Sequence, residues 1–229
     1  MALDLAPLGL NRPGTIHYNL PAAVLIEHAV RLGEGKLAAN GPLVAITGRY
    51  TGRSPDDKFM VRDATTDETV WWGKVNKSTD SDTFARLHGR ITSYLQGRDL
   101  FVQDCHAGAD PTQRLRVRIV CERAWHSAFA RNMFLQPEAA ELAGFEPEFT
   151  VLHAPGFKAV PAIDKTNSEA GIFVDFTRRM VLICGTEYAG EVKKSIFTVL
   201  NYLLPARGVL GMHCSANVGE DGGVAVFFG

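Results

Sequence analysis

No stretch of this chain approaches the roughly 20 apolar residues that a membrane-crossing helix requires. The opening, MALDLAPLGLNRPG, sets Asp4 and Pro7 where a secretory signal needs positive charge followed by an unbroken apolar run. Cysteine is scarce. Cys105, Cys121, Cys184 and Cys214 form no CxxC pair and no zinc spacing, so they read as reduced thiols of a cytosolic protein rather than a disulfide or metal framework. Neither sign of charge dominates: 24 basic against 25 acidic residues leave a formal net charge of −1. That balance gives no footprint for nucleic acid or a membrane surface, and any anion site must be local. Internal repeats, low-complexity tracts and Ser/Gly/Pro linkers are missing too. What remains is 229 residues of ordinary globular composition, 46% apolar and 21% charged, enough for a sizeable core. The expectation is a soluble cytoplasmic protein.

Elements alternate along the chain. Pro21 suits the first turn of a helix whose Val24, Leu25, His28, Ala29 and Leu32 share one face, ending near Gly33 or Gly35. Leu43–Ile46 and Lys58–Val61 read as strands around a polar loop. Ser81 is placed to cap a helix carrying Phe84, Leu87, Ile91 and Leu95 at helical spacing. Strands are expected at Leu100–Val102 and Leu115–Val120, the latter (LRVRIV) with Arg116 and Arg118 on a solvent face. AWHSAFARNMF reads as a helix, and GIFVDFTRRMVLICG as two strands around a Thr177-Arg178-Arg179 turn. A further helix from about Ala189 to Leu204 precedes a last apolar run, Val224–Phe228. Bounded by Gly222-Gly223, that run reads as a strand of the sheet buried on both faces. The fold class expected is α/β, a layered domain with a mixed β-sheet.

Three polar stretches could carry chemistry. In TGRYTGRSPDDK, Arg53 sits in a loop constrained by Gly52 and Pro55, where a held guanidinium can meet a carboxylate or phosphate with two parallel hydrogen bonds. The alternative is a solvated turn with Arg53 paired to Asp56 or Asp57. In GTEYAGEVKKSIFTVLNYLLP, Lys193 and Lys194 fall near a helix start, against the macrodipole and against each other. Both effects lower a lysine's proton affinity and can leave a neutral amine as base or metal ligand. The alternative is that both extend into water. In GMHCSANVGEDGG, His213 is either a metal ligand or a histidine satisfied by backbone partners.

Taken in order, "TGRSPDDKFMVRD", "TNSEA", "YAGEVKKSIFTVLNYLLP" and "MHCSANVGEDGGVAVFFG" resemble the ATP-dependent phosphoenolpyruvate carboxykinases. The similarity runs from "HYNL" at residues 17–20 through "ARNMF" at 130–134 to the last residue. In that family the terminal strand runs into a Gly-rich phosphate loop ending in Gly-Lys-Thr. Residues 1–229 are therefore expected to be a single N-terminal substrate-binding domain whose C-terminal nucleotide-binding domain is absent from this chain.

The resemblance implies a carboxy-lyase of gluconeogenesis. Oxaloacetate loses carbon dioxide to give the enolate of pyruvate, whose oxygen takes the γ-phosphoryl of ATP to form phosphoenolpyruvate. It implies Mn²⁺, with Mg²⁺ accompanying ATP as co-substrate. By the same resemblance Arg53 holds the substrate carboxylate, and Tyr188 packs against the carboxylate or the departing carbon dioxide. Lys194 and His213 are manganese ligands that also approach the ATP γ-phosphate, Lys194 meeting the substrate as well, and Lys193 supplies catalytic charge. An aspartate metal ligand would come from the missing half, so these residues alone are not expected to turn over oxaloacetate. TNSEA receives no role. A non-catalytic dicarboxylate- or anion-binding relative and a purely structural domain stay open as alternatives.

Overall fold

The computed structural model describes residues 3–228. Its frame is one eight-stranded mixed sheet. In chain order the strands are β1 (Ile16–Tyr18), β2 (Gly35–Leu37), β3 (Leu43–Ala45), β4 (Lys58–Val61), β5 (Lys77–Thr79), β6 (Leu100–Ala107), β7 (Leu115–Cys121), β8 (Phe149–Ala154), β9 (Gly171–Asp175), β10 (Met180–Cys184), β11 (Ser215–Val218) and β12 (Val224–Phe227). The helices are α1 (Ala22–Arg31), α2 (Ser81–Leu95), α3 (Ala124–Met133), the single turns α4 (Ala139–Leu142) and α5 (Pro161–Asp164), and α6 (Gly190–Leu203). The sheet order is β1-β6-β7-β8-β10-β9-β4-β5. Only β6/β7 and β9/β10 pair antiparallel within it.

Period-two alternation sends successive side chains to opposite faces, and both faces are covered. On β10, Val181 and Ile183 join a core with Leu25 and Ala29 of α1, Ala124 and Ala128 of α3, and Val192, Ile196 and Val199 of α6. Leu182 and Cys184 join the opposite core, where α2 lies beside Leu5 and Leu10 of the amino-terminal segment. Phe84, Leu87, Ile91 and Leu95 of α2 are all fully buried there, each contributing about 1.5–3 kcal/mol relative to exposure. The α/β layered class with a mixed sheet is what the structure shows.

Local expectations fare unevenly. The helix bearing Phe84 is capped by Asp80, whose side chain accepts the Thr83 N–H at 2.7 Å, and not by Ser81, which is its first residue. Asp80 is one position earlier with the same capping chemistry, and its carboxylate also meets the positive helix end. LRVRIV is not open to solvent on one side. Arg118 is 9% exposed and points into the α2-side layer, where Asp104 of β6 neutralises it. Only Arg116 is exposed in that strand. FTVLHA, which drew no assignment from the sequence, is the central strand β8 between β7 and β10.

The terminal run corrects the sequence reading most. β12 is a strand, but it pairs only with β11, in a two-stranded ribbon separate from the large sheet. Val224, Val226, Phe227 and Phe228 are 45–73% exposed rather than buried on both faces. Burying two apolar faces needs a layer on each, and the described residues supply neither. A hairpin with Ser215–Val218 still satisfies half of the backbone groups. Gly229, where the resemblance places the threshold of a phosphate loop, lies outside the described residues. Leu43–Ala45 likewise forms a separate hairpin with β2.

Candidate active site

Three elements converge at one edge of the α1/α3/α6 layer: the loop between β3 and β4, the start of α6, and one face of α3. The loop is anchored from below. A short 3₁₀ turn over Pro55–Asp57 carries Asp57 inward to 5% exposure. There its carboxylate accepts the Asn167 N–H at 2.7 Å, the Ser168 N–H at 3.1 Å and the Ser168 hydroxyl at 2.6 Å. Asn167 and Ser168 belong to TNSEA, which thereby acquires a role in bracing the loop. Asp56 pairs with Lys77 at 2.9 Å. With Asp56 and Asp57 both engaged elsewhere, the solvated-turn pairing of Arg53 is not formed.

The loop is tied to α6 by Glu191, 3% exposed, whose Oε1 accepts the Ser54 N–H at 2.6 Å. Burial pushes the Glu191 carboxyl up from its ordinary range, while the Ser54 hydrogen bond, Lys58 and Arg53 draw it down. Lys58, on the first residue of β4, donates to the Thr198 hydroxyl on α6. Its ammonium is lowered by burial first, opposed by Glu191 and lowered further by Arg53 and Lys194. The sequence reading missed both residues. Glu191 did carry a signal: an acidic side chain in the first turn of an amphipathic helix, two residues before the Lys pair.

Arg53, Tyr188, Lys193 and Lys194 line one pocket of about 400 Å³. Its other wall is Trp125, Phe129 and Met133, at i, i+4 and i+8 along α3 and therefore on one helical face. That stripe was visible in AWHSAFARNMF. The lining holds three cations and no carboxylate, and none of the three forms an ion pair among the described residues. The Lys194 ammonium is held below its ordinary value by desolvation, then by Arg53, then by Lys193. Arg53 and Lys194 also border a second pocket of about 510 Å³ toward Lys58, Asn201 and Tyr202.

His213 lies outside the pocket lining. Its ring sits 5.9 Å from that of Phe197 between centroids, and the Lys194 ammonium lies 5.4 Å above the same Phe197 ring. The histidine is exposed, in the segment that leads from α6 into β11. Among the described residues no group of three or more His, Cys, Asp or Glu side chains could hold a metal ion. Lys194 and His213 both lie near the Phe197 ring, and a manganese ion accepts an amine nitrogen only when the amine is neutral. The lowered proton affinity of Lys194 fits that requirement. No helix among the described residues is long and apolar enough to cross a membrane.

Comparison with known proteins bears on this site. The profile of the family described as phosphoenolpyruvate carboxykinase matches residues 14–229. Phosphoenolpyruvate carboxykinase (ATP) 1 of Moorella thermoacetica is 56% identical over 225 residues, covering 98% of this chain and 43% of its own length. The protein of that name from Salinibacter ruber is 57% identical over 217 residues, 95% of this chain and 41% of the relative. Phosphoenolpyruvate carboxykinase (ATP) of Deinococcus radiodurans is 53% identical over 228 residues, 100% of this chain and 48% of the relative. The chain thus spans less than half the length of these curated relatives.

Proposed function

The chain belongs to the phosphoenolpyruvate carboxykinase family, and from that premise we propose that its pocket is the oxaloacetate-binding half of an ATP-dependent carboxykinase site. The observation that carries the proposal is a pocket with three cations, an aromatic-apolar wall and no carboxylate in its lining. Such a pocket is built for a small carboxylate that arrives with the missing negative charge.

In this reading Arg53 receives the substrate carboxylate through two parallel N–H donors, pre-set by Asp57 and Glu191. Lys193 adds positive charge where the enolate and phosphoryl oxygens gather charge. Tyr188 packs its ring against the carboxylate or the departing carbon dioxide. Trp125, Phe129 and Met133 keep water from the carbon that would otherwise be protonated to pyruvate. Lys194 and His213 would hold Mn²⁺, which when bound supplies the Lewis acidity that steadies the enolate. ATP, its accompanying Mg²⁺ and a third metal ligand would come from a nucleotide-binding domain beyond these residues. The less-than-half coverage of the relatives supports that reading. A cytoplasmic location is part of the same proposal, supported by the lack, among the described residues, of a helix long and apolar enough to cross a membrane. A non-catalytic anion-binding relative is not favoured at 53–57% identity to proteins named as the enzyme.

The proposal is tested with oxalate, a stable dicarboxylate, titrated calorimetrically into the chain. Charge-assisted hydrogen bonds contribute about 1.5–3 kcal/mol each, so Arg53→Ala is expected to weaken binding at least tenfold. Affinity should also fall as salt rises, because the partners are partly exposed charges. Equal affinity of the two proteins would refute the assignment of Arg53. A separate expectation concerns the metal: Lys194→Arg keeps a positive charge but cannot present a neutral nitrogen, so Mn²⁺ affinity followed by electron paramagnetic resonance should drop. Unchanged affinity would remove Lys194 from the metal shell.

A further inference from the structure

We propose that His126 and His153 are positioning residues: from α3 and β8 they hold the two consecutive peptide carbonyls that precede Tyr188 and so fix its ring at the pocket. The inference rests on the reading of Tyr188 as a substrate contact given above.

Tyr188 belongs to a five-residue segment, Gly185–Ala189, between β10 and α6. Its first residue is pressed against the Glu169-Ala170 backbone that leads into β9. Gly185 has φ +70°, and a Cβ there would lie 1.9 Å from the Glu169 carbonyl oxygen, so only glycine fits. The next two carbonyls are taken by imidazoles. Thr186 O accepts from His153 Nε2 at 3.1 Å, and Glu187 O accepts from His126 Nε2 at 2.7 Å. The Glu187 carboxylate pairs with Arg123 at 3.0 Å. Tyr188 itself donates its N–H to Thr186 Oγ1 at 3.2 Å, and its carbonyl accepts the Glu191 N–H at 3.1 Å. The Tyr188 ring lies over Gly190, where a Cβ would come within 2.5 Å of Cε1.

The chemistry of the two histidines agrees with this role. A carbonyl accepts only, so Nε2 carries the hydrogen on each ring and Nδ1 is bare. Both Nδ1 atoms are buried without a partner, a placement suited to a lone pair and costly for an N–H. The rings are 0% exposed and 4.3 Å apart. Burial lowers His126 well below its ordinary value and takes His153 down to about 4, with Arg123 acting in the same direction on both. The other charges facing the pair are Glu187, bound to Arg123, and Glu34, which accepts the Ala124 and Trp125 N–H groups at the start of α3. Aliphatic side chains would fill the same volume, but they would leave two carbonyls unpaired in the interior.

The test follows Tyr188 directly. In the wild-type chain at pH 7, ¹⁵N NMR should show both rings neutral with hydrogen on Nε2. Tyr188 should give one ordered set of ring signals. His126→Leu and His153→Leu remove the donors and should broaden or average the Tyr188 signals, with about a tenfold loss of oxalate affinity. His126→Gln and His153→Gln place an amide N–H at similar reach and should restore both. Arg53→Ala should weaken oxalate binding at least tenfold while leaving the Tyr188 signals ordered. If it binds oxalate like wild type, the reading of the pocket fails, and the Tyr188 signals still decide the positioning role. That role is overturned by hydrogen on Nδ1 or a charged ring in the wild type, or by an ordered Tyr188 in the leucine variants. Should the leucine variants not fold, a disordered Tyr188 in folded glutamine variants overturns it as well.

Discussion

Asp104→Ala is expected to lower the unfolding free energy by about 3–5 kcal/mol, the loss found when one partner of a buried ion pair is removed. Asp104 is fully buried, and both of its carboxylate oxygens are engaged by Arg118, each at 2.7 Å. The Tyr18 hydroxyl donates to the same carboxylate at 2.7 Å, and burial, with this hydrogen bond second, pushes the phenol far above its ordinary value. Removing the carboxylate strands a guanidinium in an interior layer and orphans the Tyr18 hydroxyl. The pair also ties β1 and β7 to β6, so the damage reaches the edge of the sheet. The double variant Asp104→Leu/Arg118→Met replaces both charges with apolar volume and should recover most of the loss. Urea unfolding of the three proteins checks this. A loss under about 1 kcal/mol in the single variant would show that the pair is effectively solvated.

Acid is expected to destabilise the chain through His126 and His153. The direction follows from proton binding. Both rings are neutral when folded and titrate near 6.5 when unfolded, so below that pH the unfolded chain takes up protons that the fold excludes. Stability is therefore unaffected by these groups above pH 6.5 and falls as pH drops toward the folded value. For His153, moved from 6.5 to about 4, the full effect is about 3 kcal/mol at pH 4. His126 acts in the same direction. Glu34 and Glu191, raised by burial, oppose it over part of the range, so the contribution must be isolated by variant. His153→Gln keeps a donor but does not titrate, and its stability should fall less steeply between pH 7 and pH 5 than that of wild type. Parallel slopes for the two proteins would mean that His153 takes up its proton in the fold as readily as in the unfolded chain.

Local rules were enough for the elements whose signal is contained in their own residues. Phe84, Leu87, Ile91 and Leu95 recur at helical spacing, and that periodicity requires a helix packed by one face. The turn at Thr177-Arg178-Arg179 between two apolar runs requires a hairpin. The motifs that carry the family resemblance, with Arg53, Tyr188, Lys193 and Lys194 in them, are likewise written in the chain and needed no coordinates. Other properties depend on what each segment meets. Alternation in LRVRIV specifies two faces but not what covers the second, and Asp104, 14 positions away, turns a solvent-facing Arg118 into a buried one. The apolar run Val224–Phe228 specifies a strand but not its partners, and the fold pairs it with Ser215–Val218 outside the large sheet. Glu191, Lys58 and the His126–His153 pair have no periodic signature, because each is defined by a group 61 to 140 positions distant or by the ring opposite. Hydrogen bonds and buried charges are satisfied through space, so their partners become known only when the sheet brings β8, α3, α6 and the Arg53 loop to one edge.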